Sequence, residues 1–325
     1  MVLLVSLVLL SAQDEPARPF PSDLLSPRDV RVFEETFDSL TLFDGRVLDR
    51  QSCSNTISCA STGLVSLAKI RHGVLSGGVD LPEIERVKNG FRVTVGLNQK
   101  ENRGWLYHFT DLEGRPALGS EVSTIDTALF FSSFLKIAEL LEDKDFEREV
   151  RDHLKNVDVE VVYYDGYFHH GFFVLKDGSV QLIPHRWENT DEGVILYDLF
   201  EKQFQPVLVT ERFPLFVYYY PLIFDQSEHR VGLFRKAISF QRKTYSFVGI
   251  TATDGPNGYQ VGDPSVHSPL SLLAASRYCR KAREEIRNLS FPITTPAYSR
   301  DGWVAEDRLG IDYASSFLVV TNVSR

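Results

Sequence analysis

Methionine occurs once, and cysteine and tryptophan three times each, in 325 residues. Three cysteines cannot make a disulfide scaffold, and no Cys-x-x-Cys or His-x-x-x-His spacing offers a structural zinc site. No apolar stretch reaches the ~20 residues that a membrane-spanning helix needs. Positive charge is also scarce. Lys and Arg number 35 against 44 Asp and Glu, for a formal charge of −9 and a pI near 5.4. No Lys/Arg block interrupts that acidity, so the surface repels phosphate backbones and nucleic acid is excluded as a partner. The sequence also lacks Gly-x-Ser-x-Gly, Gly-x-x-x-x-Gly-Lys-Ser/Thr and Gly-x-Gly-x-x-Gly. Their absence removes the nucleophile-elbow, P-loop and dinucleotide-binding classes.

What is present is enough apolar material for a large core, at 43% hydrophobic residues. Residues 1–12, MVLLVSLVLLSA, form a short apolar run ending in a small residue, with charged, proline-rich sequence directly after it. This predicts a signal peptide cleaved after Ala12 and a periplasmic or secreted product, with a buried N-terminal helix as the competing reading. Residues 13–27 hold Pro16, Pro19, Pro21 and Pro27 and read as an extended lead-in. Residues 28–325 show no linker and are expected to form one domain, a monomer without a membrane span. Cys53 and Cys59 are close enough in sequence to close a small loop. Cys59, in CASTGLVSLA, also fits a small buried residue on a helix.

Apolar periodicity predicts helices near 28–43, 56–71, 82–96, 123–142, 144–156, 190–203, 214–224, 229–243, 268–287 and 310–321. The run IDTALFFSSFLKIAELL is apolar around most of its circumference, as a helix packed on several sides must be. Strand-like pieces are short: 104–109, 159–166 and 245–252. Strands this sparse cannot build a parallel-sheet enzyme, and the fold class is all-α, a ring or bundle.

Carboxylates, aromatics and glycines gather in a few loops: 101–114, 120–131, 185–197, 249–259 and 307–320. Hydrolysis of a glycosidic bond needs two carboxyl groups across a cleft, one protonated and one ionised, and aromatic faces to hold the sugar. These loops contain both ingredients. The ordered pieces RGWLYHF, SEVSTIDTAL, Trp-x-x-x-x-Glu-x-x-x-Leu-Tyr, PLFVYYYP, GITATDGPNGY and GIDYASSFL resemble the bacterial glucoamylase-like family. That family includes the endo-β-1,2-glucanases and the related domain of cyclic β-1,2-glucan synthases. LFDGRVLDR followed by SCASTGLVSLA resembles its N-terminal pattern, so the similarity runs from about residue 30 to about 322.

The resemblance implies an (α/α)6 toroid that cleaves a glucan-like glycan with inversion, using neither metal nor organic cofactor. It implies Glu192 as the general acid and Asp126 or Asp254 as the second carboxylate. Trp105, His108, Glu121, Trp187, Tyr220 and Tyr259 would then contact substrate. Each has a structural alternative. Asp126 follows Ser123 at capping spacing, Glu192 reads as a first-turn glutamate, and Asp254 lies in a Gly- and Asn-rich turn. Asp312 reads as a helix cap, Trp105 and His108 could simply pack, and His169-His170 reads as ordinary loop. The chain departs from the family at Tyr218–Leu222, where a His-Gln-Tyr-Ser-His type of run is usual. The segment after Gly258 is also shorter. These departures imply a different or modified glycan, or a protein that binds glycan without cleaving it.

The first prediction concerns processing. Mass spectrometry of the protein from its native host should show a chain that begins after residue 12, and an intact Met1 on the abundant species would refute export.

Overall fold

The computed structural model describes residues 24–98, 102–117, 119–187, 192–203 and 214–322. The expected signal peptide and most of the lead-in lie outside these residues. The described residues form eleven helices: α1 Pro27–Leu40, α2 Cys59–Leu75, α3 Leu81–Asn98, α4 Thr124–Leu140, α5 Lys144–Leu154, α6 Val194–Leu199, α7 Phe216–Tyr219, α8 Glu228–Tyr245, α9 Pro269–Ser276, α10 Arg280–Arg287 and α11 Gly310–Thr321.

Two kinds of helix alternate along the chain. In α2, α4, α9 and α11 the buried residues run almost without interruption and include serines and threonines. Such helices are covered on all sides. In α1, α5 and α10 only one stripe is buried, Phe33 and Phe37 in α1, Phe146 and Val150 in α5, and Ala282 in α10. The contacts follow this division. Helix α2 packs between α4 and α11, α11 also packs on α9, and α4 packs on α6. Outside them lie α1 against α11, α3 against α2, α5 against α4, α8 against α7 and α10 against α9. This is the (α/α)6 toroid, with about 49% of the described residues helical and an inner ring sheathed by an outer one.

The inner helices begin alike. Ser58, Ser123 and Ser268 are extended residues whose hydroxyls accept the amides of Ser61, Asp126 and Ser271 at the starts of α2, α4 and α9. Each satisfies a first-turn amide that would otherwise lack a partner. Short antiparallel strands hold these starts together. Ile57–Ser58 pairs with Phe109–Thr110, and Val122–Ser123 lies between Leu106–Tyr107 and Gly171–Val174 in a four-stranded sheet completed by Val180–Leu182.

The structure corrects several expected boundaries. The segment 268–287 breaks at Arg277–Cys279, where PLSLLAAS gives way to RKAREEIR and the chain passes from the inner ring to the outer. Segment 214–224 divides into α7 and a 3-10 turn, Pro221–Ile223, because Pro221 has no amide to continue the ladder. The helix expected at 190–203 is only α6. Of the strand expected at 245–252, only Ala252 is extended in a ladder, opening a hairpin of Ala252–Gly255 with Gly258–Val261. Cys53 and Cys59 are free thiols, and Cys59 is the first, buried residue of α2.

Contact between α2 and α4 sets up a measurable competition. A Cβ at Gly63 would lie 2.8 Å from the Phe130 Cα and 3.2 Å from its carbonyl oxygen. Alanine normally favours a helix over glycine by about 1 kcal/mol, whereas a backbone clash in a packed core costs roughly 1–3 kcal/mol. Gly63→Ala should therefore lower stability to chemical denaturation, and a variant as stable as the parent would contradict this packing.

Candidate active site

The first turns of the inner helices are positive dipole ends, and in α4 and α11 each holds an acid, Asp126 and Asp312. His108 lies between the strands Leu106–Tyr107 and Phe109–Thr110. Its amide donates to the Glu121 carbonyl (3.0 Å) and its carbonyl accepts from the Cys59 amide (3.4 Å). The ring is thereby fixed over the starts of α2 and α4. Its Nδ1 lies 3.1 Å from Glu121 Oε1 and its Nε2 3.7 Å from Asp126 Oδ2. Burial opposes the charged ring, but Asp126, Glu121 and Asp49 outweigh it and raise its pKa to about 9. His108 is therefore an imidazolium at neutral pH. Burial likewise raises Glu121, but the bond to His108 prevails and holds it below the usual glutamate value.

Asp126 is the third residue of α4 and is buried. Ser123 is the cap. Its hydroxyl accepts from the Asp126 amide (3.3 Å) and donates to the Asp126 carboxylate (2.5 Å). Beneath this pair is the Cys59 thiol, pushed well up by burial and by the charge of Asp126.

A second set of acids surrounds Arg50. Its guanidinium contacts Asp49 (2.9 Å) and both oxygens of Asp254 (3.2 and 3.3 Å), and Asp307 is 3.8 Å away. The backbone ties these residues to α11: the Gln51 amide donates to the Arg308 carbonyl and the Gly310 amide to the Asp49 carbonyl. On the first turn of α11, Asp312 is 4% exposed and accepts a hydrogen bond from the Thr253 hydroxyl at 3.4 Å. Burial first, then the charges of Asp254 and Asp49, push it up to about 8. Asp312 is thus protonated at neutral pH. Burial also raises Asp49, against the pull of Arg50.

Phenols close the far side. Tyr219 and Tyr220 are buried on and just after α7, and the Tyr219 hydroxyl shares a hydrogen bond with that of Ser271 on α9 (3.2 Å). Tyr259 pairs in register with Asp254 on the hairpin. Half of Tyr259 is exposed, yet its phenol reaches groups inside: burial, Asp312, Glu192 and Tyr219 raise it well above normal. Tyr220 is raised in the same way by burial, Tyr219, Asp312, Tyr259 and Glu192. Glu192 is therefore in the same network. It is buried and sits two residues before α6, not in its first turn. The neighbouring Asp191 lies outside the described residues.

Thus Asp126, Glu192 and Asp254 converge, together with His108, Glu121, Tyr220 and Tyr259. Trp105 does not join them. It is fully buried, donates its indole N–H to the Asp158 carbonyl (2.9 Å) and packs on Phe200. Trp187 stands at the start of α4, donating to the Thr124 hydroxyl (2.8 Å) and stacking on His170 at 3.8 Å. His169 and His170 are accordingly not ordinary loop. His169 is buried, both carbonyls accept from Thr124, and the His170 pKa is lowered by burial and by His185. Tyr218–Leu222, the departure from the family run, is core. The expected cap role of Asp312 is also wrong, since Leu309 occupies the cap position.

Asp49 and Arg50 were not singled out from the sequence, and Asp312 was read only as a cap. A signal for Asp312 existed. The helix GIDYASSFLVVT is apolar around its whole circumference, so any acid on it must be buried. Among the described residues, no group of three His, Cys, Asp or Glu side chains could hold a metal ion.

No family model matches the sequence, and no curated protein matches it. Solved structures do match its fold. The endo-β-1,2-glucanase of Chitinophaga pinensis, in complex with sophorotriose and glucose, superposes with a TM-score of 0.71 at 14% identity over 90% of each chain. The β-1,2-glucanase of Parabacteroides distasonis gives 0.70 at 16% identity over 90% of this chain and 56% of its own. The cellobiose 2-epimerase of Bacillus thermoamylovorans B4167 gives 0.54 at 9% identity over 90% and 98%. Hydrolases and an isomerase share this fold, so the chemistry must be argued from the site.

The raised pKa of Asp312 has a consequence for stability. A carboxyl that binds its proton more tightly when folded contributes stability that is complete below about pH 4 and is lost as pH rises through about 8. One proton corresponds to a slope of about 1.4 kcal/mol per pH unit inside that window. Asp312→Asn should remove this component, giving a flatter stability curve and gaining on the parent toward pH 8. Parallel curves from chemical denaturation would show that Asp312 is not protonated in the fold.

Proposed function

We propose that the protein is a glycoside hydrolase acting on a glucan-like poly- or oligosaccharide by general acid–base catalysis with inversion. The observation that supports this best is one network that joins Glu192, through the phenols of Tyr220 and Tyr259, to Asp312, with Asp254 on Arg50 and Asp126 near His108 completing it. Acid–base cleavage of an acetal needs carboxyl groups in both states within one site. The shared fold with β-1,2-glucanases supports the same class.

In this proposal Glu192 gives its proton to the glycosidic oxygen as the bond to the anomeric carbon breaks. The phenols of Tyr220 and Tyr259 beside it stay protonated and can donate to sugar hydroxyls. Asp126 or Asp254 removes a proton from the attacking water, directly or through a second water. Half-exposed Tyr259 offers a ring face to the sugar, and Glu121 and the His108 imidazolium offer an acceptor and a donor. In the same reading Trp187, whose indole donates to Thr124, walls the sugar site. Substitution of the polar run by buried Tyr218–Leu222 favours a modified or differently linked glycan over plain β-1,2-glucan. Export and action as a monomer are parts of the same proposal.

Glu192→Gln keeps size while removing the transferable proton. Release of reducing ends from a panel of linear and cyclic glucans should fall by roughly 10²–10⁴-fold, with little change in melting temperature. Asp126→Asn and Asp254→Asn separate the remaining roles. Loss of about 1 kcal/mol of stability with turnover intact marks Asp126 as structural, and the reverse pattern marks it as the base. An active, stable Glu192→Gln enzyme would exclude the mechanism. Glycan binding without turnover by the parent would indicate a binding protein on a hydrolase fold.

A further inference from the structure

A concave site lies between the outer helices α8 and α10 and shares no residue with the carboxylate network. It is a groove of about 620 Å³, and Arg235, Arg242, Lys243, Arg280 and Lys281 line it. Three of these follow helical spacing along one face of α8, while Arg280 and Lys281 are the first two residues of α10. In a protein of formal charge −9, this is a local reversal of sign. The cations are only partly neutralised. Arg242 lies 3.5 Å from Glu285 and Arg280 lies 3.7 Å from Glu284. Arg235 reaches the Tyr278 carbonyl at 3.4 Å, and neither Lys243 nor Lys281 has an ion-pair partner among the described residues.

The placement of Arg280 and Lys281 runs against local physics. A helix N-terminus is a positive dipole end that favours acids in its first turn, and α10 has none there. The cap residue, Cys279, makes no side-chain hydrogen bond to the first-turn amides. Two cations over uncapped amides repel each other and the dipole end. An anion in the groove removes that repulsion while satisfying both. Several donors from lysines and a planar guanidinium suit a tetrahedral group of charge near −2 better than a single carboxylate.

We propose that the α8/α10 groove binds a phosphate-bearing group, independently of what the ring site does to glycans. The group belongs either to a small soluble phosphate ester or to an anionic lipid headgroup at a membrane surface. The decisive comparison uses the full chain and the Lys243→Gln/Lys281→Gln variant. Both lysines are exposed, and neither forms an ion pair among the described residues. Calorimetric titration with inorganic phosphate and with glycerol phosphate tests the first source. Sedimentation with phosphatidylcholine vesicles, with and without phosphatidylglycerol, tests the second. The parent should bind at least one probe saturably, more weakly at high salt, and the variant should lose roughly tenfold or more for two charged contacts. Thermal unfolding of the variant should match the parent. A parent that binds none of these probes overturns the proposal. So does a variant, folded by that measure, that binds as tightly as the parent.

Discussion

The structure depends on confining many carboxylates in a small buried volume. Arg50 is the pivot of that arrangement. One guanidinium contacts Asp49 and Asp254 and approaches Asp307, while the backbone on either side of it is bonded to the segment that starts α11. Removing a single partner from such a set leaves an uncompensated buried charge, which is far costlier than the pair is favourable. The ring closes between α11 and α2 at this point, so the electrostatics and the topology are solved by the same residues.

His108 plays the corresponding part between α2 and α4. It is held by backbone bonds to Glu121 and Cys59, and its charge is set by the acids it faces. With two cations for this many acids among the described residues, full ionisation is prohibitive, and at least one carboxyl keeps its proton: Asp312, the most enclosed of the set. The inner helix dipoles contribute from below, since Asp126 and Asp312 both lie on first turns. Buried phenols of Tyr219 and Tyr220 supply polarity without adding charge.

Much of this was legible beforehand, and the physical reasons can be named. Helices such as IDTALFFSSFLKIAELL advertise burial on every side, and Ser123 announces a helix start through capping chemistry. The loops that carry Asp126, Glu192 and Asp254 stood out by their carboxylates, aromatics and glycines, and only the resemblance joined the three as candidates. Trp105 was misplaced because an aromatic beside glycine in a loop looks the same whether it faces sugar or core. Its indole is occupied by the Asp158 carbonyl, a partner 53 residues away. The histidines 169 and 170 were misread for a similar reason, as their contacts to Thr124, Trp187 and Ile183 all cross between elements.

By itself the sequence determined the fold class, the all-round burial of the helix Thr124–Leu140 and the identity of the main acidic loops. Those properties are local, being written in periodicity, capping residues and the composition of one segment at a time. Tertiary structure alone decided which acid keeps its proton, which cation contacts its neighbours and which aromatics are exposed. Arg50 and Asp254 stand 204 residues apart, and Thr253 and Asp312 stand 59 apart. A protonation state is set by every charge within a few ångströms, and the sequence gives no distance between segments so remote.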